Sequence, residues 1–157
     1  SSPSTDWLAT IKGLCGDNAA KAGEADGGID MSCIAVKAQR INDVLSKQEI
    51  VSSFAIINES IDKSDDFGPD KDAIIKEASN KYDREEFSDA YKYYRAAVIL
   101  DPRNPDNEFN LASSLRLAGK DADAIRHYYR YLYLVGDGAE DREEVLGKIA
   151  ALQNNNR

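Results

Sequence analysis

Between positions 71 and 138 the chain repeats itself with a period of about 34 residues, a length that is common among helical repeat proteins. The period is carried by small and aromatic residues that recur at matching positions: Ala78 and Ala112, Ala90 and Ala124, and Tyr94 and Tyr128. Such a period is typical of solenoid proteins, in which each unit buries its apolar face on its neighbours. The pattern therefore predicts a stack of similar helical units.

The repeated positions resemble those of the tetratricopeptide repeat (TPR) family over residues 71–138, which is under half of the chain. In that family each unit is a pair of helices, and small residues let the two helices approach closely while an aromatic residue fills the gap between them. The matching positions of unit one, about 71 to 104, are Ala78, Ala90, Tyr94, Ala97 and Pro102. Those of unit two, about 105 to 138, are Leu111, Ala112, Leu115, Gly119, Ala124 and Tyr128.

The chain departs from the family pattern at defined positions. Glu77 stands where a leucine is usual, and Glu85 stands where the turn glycine is usual. In unit two, Tyr131 replaces a small alanine and no proline closes the unit. Because tyrosine is much larger than alanine, Tyr131 is expected to press on the next helix and push it outward or open a groove beside it.

The rest of the chain is expected to complete the stack, because two units are normally too few to be stable alone. An apolar stripe after unit two predicts a terminal capping helix, and its residues are Val145, Leu146, Ile149 and Leu152. The predicted fold class is all-α. Its parts are a helical N-terminal segment with a glycine-rich loop at 1–62, a linker at 63–70, a TPR domain with the capping helix at 71–153, and a tail at 154–157.

Two apolar stripes at helical spacing occupy residues 34–61, and the step from Leu45 to Ile50 breaks the phase between them. At this break, Ser46 and Glu49 have the Ser-x-x-Glu spacing of a capping box. The spacing favours two helices that meet near Ser46, and a single kinked helix is the alternative.

The two cysteines, Cys15 and Cys33, flank a glycine-rich stretch with the composition of a flexible loop. We interpret them as a candidate disulfide, which favours an exported protein, periplasmic or secreted, over a cytoplasmic one. Two unrelated thiols are the alternative. A metal site is not expected, because two cysteines and the distant His127 do not make a ligand set.

Composition limits the classes of partner. A chain of 157 residues with 42% hydrophobic and 31% charged residues is typical of a globular domain. The net charge is −8 and Lys and Arg are not clustered along the sequence, which argues against binding nucleic acid. Direct membrane insertion is not expected, because no apolar run reaches the roughly 18 to 20 residues that cross a bilayer.

The TPR resemblance implies a partner-binding groove lined by the first helix of each unit. The residues that correspond to this predicted groove are Ile75, Ser79 and Tyr82 in unit one, and Phe109, Asn110, Ser113 and Arg116 in unit two. A mixed apolar and polar surface of this kind suits an extended peptide or a helix of another protein. A solvated surface without a partner is the alternative.

A second candidate interface lies in the tyrosine-rich segment 127–136. Tyr128 matches the core aromatic position of the family. Tyr129 and Tyr133 share the neighbouring helix face and, with Tyr131, are candidates for an interface that pairs two copies of the chain. The alternative is that the N-terminal helices cover Tyr129 and Tyr133.

No catalytic motif is present, and the only histidine, His127, is expected at the surface. We therefore expect neither enzymatic activity nor a cofactor. The predicted function is a protein–protein interaction module, an adaptor or assembly factor that binds a peptide or helix in the groove. A self-associating scaffold that dimerises through the tyrosine face, or a secretion-type chaperone, is the alternative.

Overall fold

The structure is a computed structural model, and it describes residues 45–63, 68–136 and 138–155. Over these residues it contains six α-helices and no strand, so the predicted all-α class is confirmed there. The helices are α1 (Lys47–Lys63), α2 (Lys71–Asp83), α3 (Phe87–Leu100), α4 (Pro105–Leu117), α5 (Asp121–Val135) and α6 (Arg142–Asn155). The predictions for residues 1–44, including the glycine-rich loop and the Cys15–Cys33 disulfide, lie outside the described residues.

Helix α1 begins with the predicted capping box, which is confirmed by two hydrogen bonds. The backbone N–H of Glu49 donates to Ser46 Oγ at 3.1 Å, and the backbone N–H of Ser46 donates to Glu49 Oε1 at 2.8 Å. These bonds satisfy N–H groups that have no partner inside the helix, and they fix its start at Lys47. The segment that precedes the box lies outside the described residues.

The repeat period of the sequence is also a period of the backbone. Helix α4 begins and ends one period after α2, and α5 begins one period after α3. The caps repeat as well, because Asp70 and Asn104 occupy matching positions before α2 and α4. The side chain of Asp70 accepts from the N–H of Ala73, and that of Asn104 from the N–H of Asp106, both at 3.0 Å.

The turns inside the two helix pairs have the same geometry. In each turn an N–H bonds to the carbonyl oxygen five residues earlier, from Glu86 at 2.9 Å and from Lys120 at 2.8 Å. This bond requires a left-handed residue just before the donor. Gly119 supplies it in one turn with a φ of 81°, and Glu85 supplies it in the other with a φ of 62°. Glu85 is the one non-glycine residue with a positive φ among the described residues.

The helices pack in chain order, α2 on α3, α3 on α4, α4 on α5 and α5 on α6, while α1 lies against α2 and α3. We call the α2–α3 pair unit one and the α4–α5 pair unit two. The repeated small and aromatic residues are all buried in the core: Ala78, Ala90, Tyr94, Ala112, Ala124 and Tyr128. The predicted apolar stripe of α6 joins the same core through Val145, Ile149 and Leu152.

A membrane-spanning helix must be both long and apolar, since it has to cross the hydrocarbon core of the bilayer. None of the described helices meets both requirements.

Candidate functional site

The residues of the predicted groove lie on α2 and α4, and all but Asn110 form pairs at matching positions of the two units. Six of the seven are partly exposed, and Ser113 is buried with 7% of its surface accessible. The partly exposed ones are Ile75, Ser79, Tyr82, Phe109, Asn110 and Arg116. Leu117, which follows Arg116 on α4, is 40% exposed and was not among the predicted residues.

In unit two, three of these residues contact the buried side chain of Tyr128. Ser113 Oγ lies 3.3 Å from the Tyr128 hydroxyl, and Arg116 Nε donates to the same oxygen at 3.4 Å. The ring of Phe109 packs edge-to-face on Tyr128, with the ring centroids 5.8 Å apart, and on Tyr131 at 5.2 Å. Phe109 and Arg116 are therefore held in place by the core beneath them.

Unit one repeats part of this arrangement. Ser79 forms a hydrogen bond with the hydroxyl of Tyr94, which matches the Ser113–Tyr128 pair one period later. Burial raises the pKa of Tyr94, and the hydrogen bond from Ser79 opposes that shift. Tyr82 occupies the position of Arg116, and its ring packs edge-to-face on Phe87 with the centroids 5.3 Å apart.

The hydroxyls of the two serines are satisfied inside the protein, so they are not the groups that a ligand would meet first. The partly exposed surface consists of apolar and aromatic groups together with the amide of Asn110 and the guanidinium of Arg116. Such a surface can bury an apolar side chain and supply one charged hydrogen-bond donor. It presents no pair of groups placed for acid–base or nucleophilic catalysis.

The candidate second interface is largely inside the protein. Tyr129 is 1% exposed and belongs to the core, while Tyr133 is partly exposed. Tyr131 is also buried, and its hydroxyl donates to Asp141 Oδ2 at 2.5 Å, just before α6. Burial, this hydrogen bond and the nearby carboxylates of Asp141 and Asp106 raise the pKa of Tyr131 to about 12. Of the three tyrosines, only Tyr133 keeps part of its ring at the surface.

The expectation that His127 lies at the surface is wrong, because its side chain is completely buried with Glu108 and Arg130. His127 Nδ1 lies 2.8 Å from Glu108 Oε2, and Arg130 Nε lies 2.7 Å from Glu108 Oε1 as an ion pair rather than an aligned hydrogen bond. Arg130 Nη2 also donates to the carbonyl oxygen of Pro102 at 2.7 Å. Little in the linear sequence signals this network, because burial of charges depends on partners from other helices.

A second cluster of charges joins α1 to both units. Glu49 lies 2.9 Å from Arg95 on α3 and 3.5 Å from Arg126 on α5, and Asp123 pairs with Arg126 at 2.8 Å. Burial raises the pKa of Glu49, but the charges of Arg95, Arg126 and His127 and the N–H of Ser46 outweigh it and hold that pKa below its ordinary value. Glu49 therefore both caps α1 and neutralises arginines of two other helices.

Over the described residues, no group of three His, Cys, Asp or Glu side chains is placed to hold a metal ion. In comparisons with known proteins, no protein-family model matches the chain, and neither a curated protein nor a solved structure matches it significantly.

Proposed function

We propose that this protein is a TPR-type protein–protein interaction module that binds a peptide or helix of a partner on the surface of α2 and α4. The observation that carries the proposal is the position of Phe109. Its ring is partly exposed, yet it is held edge-to-face by the two buried rings of Tyr128 and Tyr131. An aromatic residue that is fixed before binding loses little conformational entropy on binding, which is typical of the anchor residues of interfaces.

Support for the TPR assignment comes from the recurrence of helix bounds, caps and turns at the repeat period of the sequence. The period matches that of the family, and the small residues that let the helices approach are those of the family pattern. The α2–α4 surface corresponds to the surface on which this family binds its ligands.

Arg116 defines the chemistry of the partner. Its Nε donates to the Tyr128 hydroxyl, and the side chain as a whole is partly exposed, which makes its guanidinium available to a partner. A partner segment that places an apolar side chain on Phe109 and a carboxylate or carbonyl oxygen against Arg116 would satisfy both groups. Ile75 and Tyr82 extend the apolar surface along α2.

The test is a crosslinking pull-down from the organism of origin with the chain as bait. The groove variant is Phe109→Ala/Arg116→Glu, and the matched control is Phe54→Ala/Arg103→Glu. The control replaces an exposed phenylalanine of α1 and an exposed arginine of the α3–α4 turn. We expect a partner that wild type and control both capture and that the groove variant loses.

Loss of Phe109 also removes core packing, so the single variant Arg116→Glu is measured beside the double one, with circular dichroism to verify that both are folded. A partner captured equally by wild type and folded groove variants would contradict the proposed surface. Recovery of the protein alone by all variants would contradict groove binding and favour self-association.

A further inference from the structure

A cavity of about 390 Å³ lies where the first turn of α1 meets α3, α5 and the turn before α5. It is separate from the α2–α4 surface. Six of the side chains that line it are charged: Glu49, Lys92, Arg95, Lys120, Asp123 and Arg126. Four cations face two carboxylates, which leaves an excess of two positive charges in a chain whose net charge is −8.

The floor of the cavity is made by two arginines that are fixed in place. Arg95 and Arg126 are only 6% and 7% exposed. Glu49 pairs with both, and the guanidinium of Arg95 also lies over the ring of Tyr91, 5.1 Å from its centroid. The Nε of each arginine is buried and has no hydrogen-bond acceptor among the described residues. The carboxylates of the floor therefore do not use every donor of the two arginines.

The rim is made by two lysines, Lys92 on α3 and Lys120 before α5. Both are exposed, and no carboxylate of the described residues lies within ion-pair distance of either. The four cations come from two segments of the chain, two from α3 and two from the start of α5, so the linear sequence does not show the cluster. Their convergence sets this cavity apart from the acidic remainder of the protein.

We propose that this cavity binds a dianionic phosphate group. Such a group supplies two negative charges, which match the excess of the cavity, and several acceptor oxygens for arginine and lysine donors. The lysines lie on the accessible side, where they can close on the ligand, while the arginines give a rigid floor. The inference is independent of the proposed function, because no residue of the α2–α4 surface takes part.

The test is calorimetric titration of the whole chain at pH 8 with inorganic phosphate and, separately, with O-phosphoserine. Sodium chloride and sodium acetate at the same ionic strength are the reference titrations. We expect saturable binding of at least one phosphate compound and none of chloride or acetate. The variant Lys92→Gln/Lys120→Gln should weaken binding by about tenfold or more, because each lost ammonium removes a charge-assisted contact.

The matched control is Lys76→Gln/Arg103→Gln, which removes two exposed positive charges away from the cavity and should bind like wild type. Tighter binding of phosphoserine than of phosphate identifies an esterified ligand, and the reverse order identifies the free ion. The proposal is overturned if phosphate behaves like acetate, or if the Lys92/Lys120 variant and the control bind equally well. Both lysines are exposed, so circular dichroism should show the same fold in every variant.

Discussion

The two units have the same backbone conformation, but two matching core positions carry apolar side chains in unit one and charged side chains in unit two. In unit one, Ile74 and Ala96 are buried in an apolar cluster that includes Ile57 of α1. In unit two, the residues one period later are Glu108 and Arg130, which are equally buried and form an ion pair. The repeat is thus set by the small and aromatic residues that bring helices together, and other core positions are free to be apolar or charged.

The charged core of unit two has a structural consequence that an apolar pair would lack. Arg130 extends past Glu108 and donates to the carbonyl oxygen of Pro102, in the turn that joins the two units. Unit two is therefore connected to the end of unit one by a directional bond. Unit one instead depends on α1, which covers Ile74 and Ala96 by apolar contact and supplies Glu49 as the counter-charge of Arg95.

The largest effect is expected from Glu108→Gln, which leaves Arg130 buried without a counter-charge. We expect a loss of about 3 to 5 kcal/mol in the free energy of unfolding, measured by urea denaturation. Ile74→Val at the matching position should cost only about 1 kcal/mol.

If the two cores are interchangeable, the residues of unit one can replace those of unit two. The triple variant Glu108→Ile/His127→Tyr/Arg130→Ala copies unit one at all three positions of the network. Because a buried ion pair adds little net stability over apolar packing, the triple variant should be more stable than Glu108→Gln alone. If it is less stable, the apolar and ionic cores are not interchangeable.

The next largest loss of stability is expected from substitution of Glu49, a residue of α1 that neutralises Arg95 of unit one. Its pKa is lower in the folded chain than its ordinary value of 4.5, so its contribution is present above pH 4.5 and is lost as the pH falls through the folded pKa. Glu49→Gln should cost roughly 2 kcal/mol at pH 7, because Arg126 keeps Asp123 but Arg95 loses its partner.

The measurement is urea denaturation of wild type and Glu49→Gln at several pH values. The difference between them should shrink as the pH falls from 4.5 through the lower folded pKa, because the wild-type carboxylate becomes protonated over that range. A difference that stays constant with pH would assign the effect of the substitution to packing and not to charge.

A smaller effect is expected where Tyr131 of unit two replaces Ala97 of unit one. Tyr131→Phe keeps the ring but removes the hydrogen bond to Asp141, and should cost about 1 kcal/mol. The folded pKa of about 12 is above the unfolded value of 10, so this contribution is complete below pH 10 and is lost as the pH rises towards 12. Thermal unfolding of both proteins at pH 7 and near pH 11 measures it.

The features that could be predicted from the sequence are those that depend on neighbours in the chain or on the repeat. The capping box of Ser46 and Glu49 follows from their spacing along the chain, and the alanine and tyrosine core follows from the repeat period. The all-α class follows from the same helical spacing of apolar residues.

The features that could not be predicted depend on contacts between distant segments. The burial of His127 requires Glu108 from the preceding helix, and the charge cluster at Glu49 joins residues 77 positions apart. The groove residues lie on the first helix of each unit, where the repeat predicts them, but the contacts of Ser113 and Arg116 with Tyr128 could not be predicted. The position of a serine such as Ser113 in the sequence does not reveal whether its hydroxyl faces solvent or a buried ring.

The smallest effect is expected in the turns, where the two units differ by one residue in the same conformation. Glu85 has a φ of 62° and is exposed, so Glu85→Gly should remove left-handed strain without losing packing and should stabilise the protein by about 0.5 to 1 kcal/mol. Gly119→Ala is the converse change. A Cβ there meets no atom within 4 Å, so its expected cost of about 1 kcal/mol is conformational alone. Thermal unfolding of the two variants should give shifts of opposite sign, and shifts of the same sign would mean that the matching turns are not equivalent in energy.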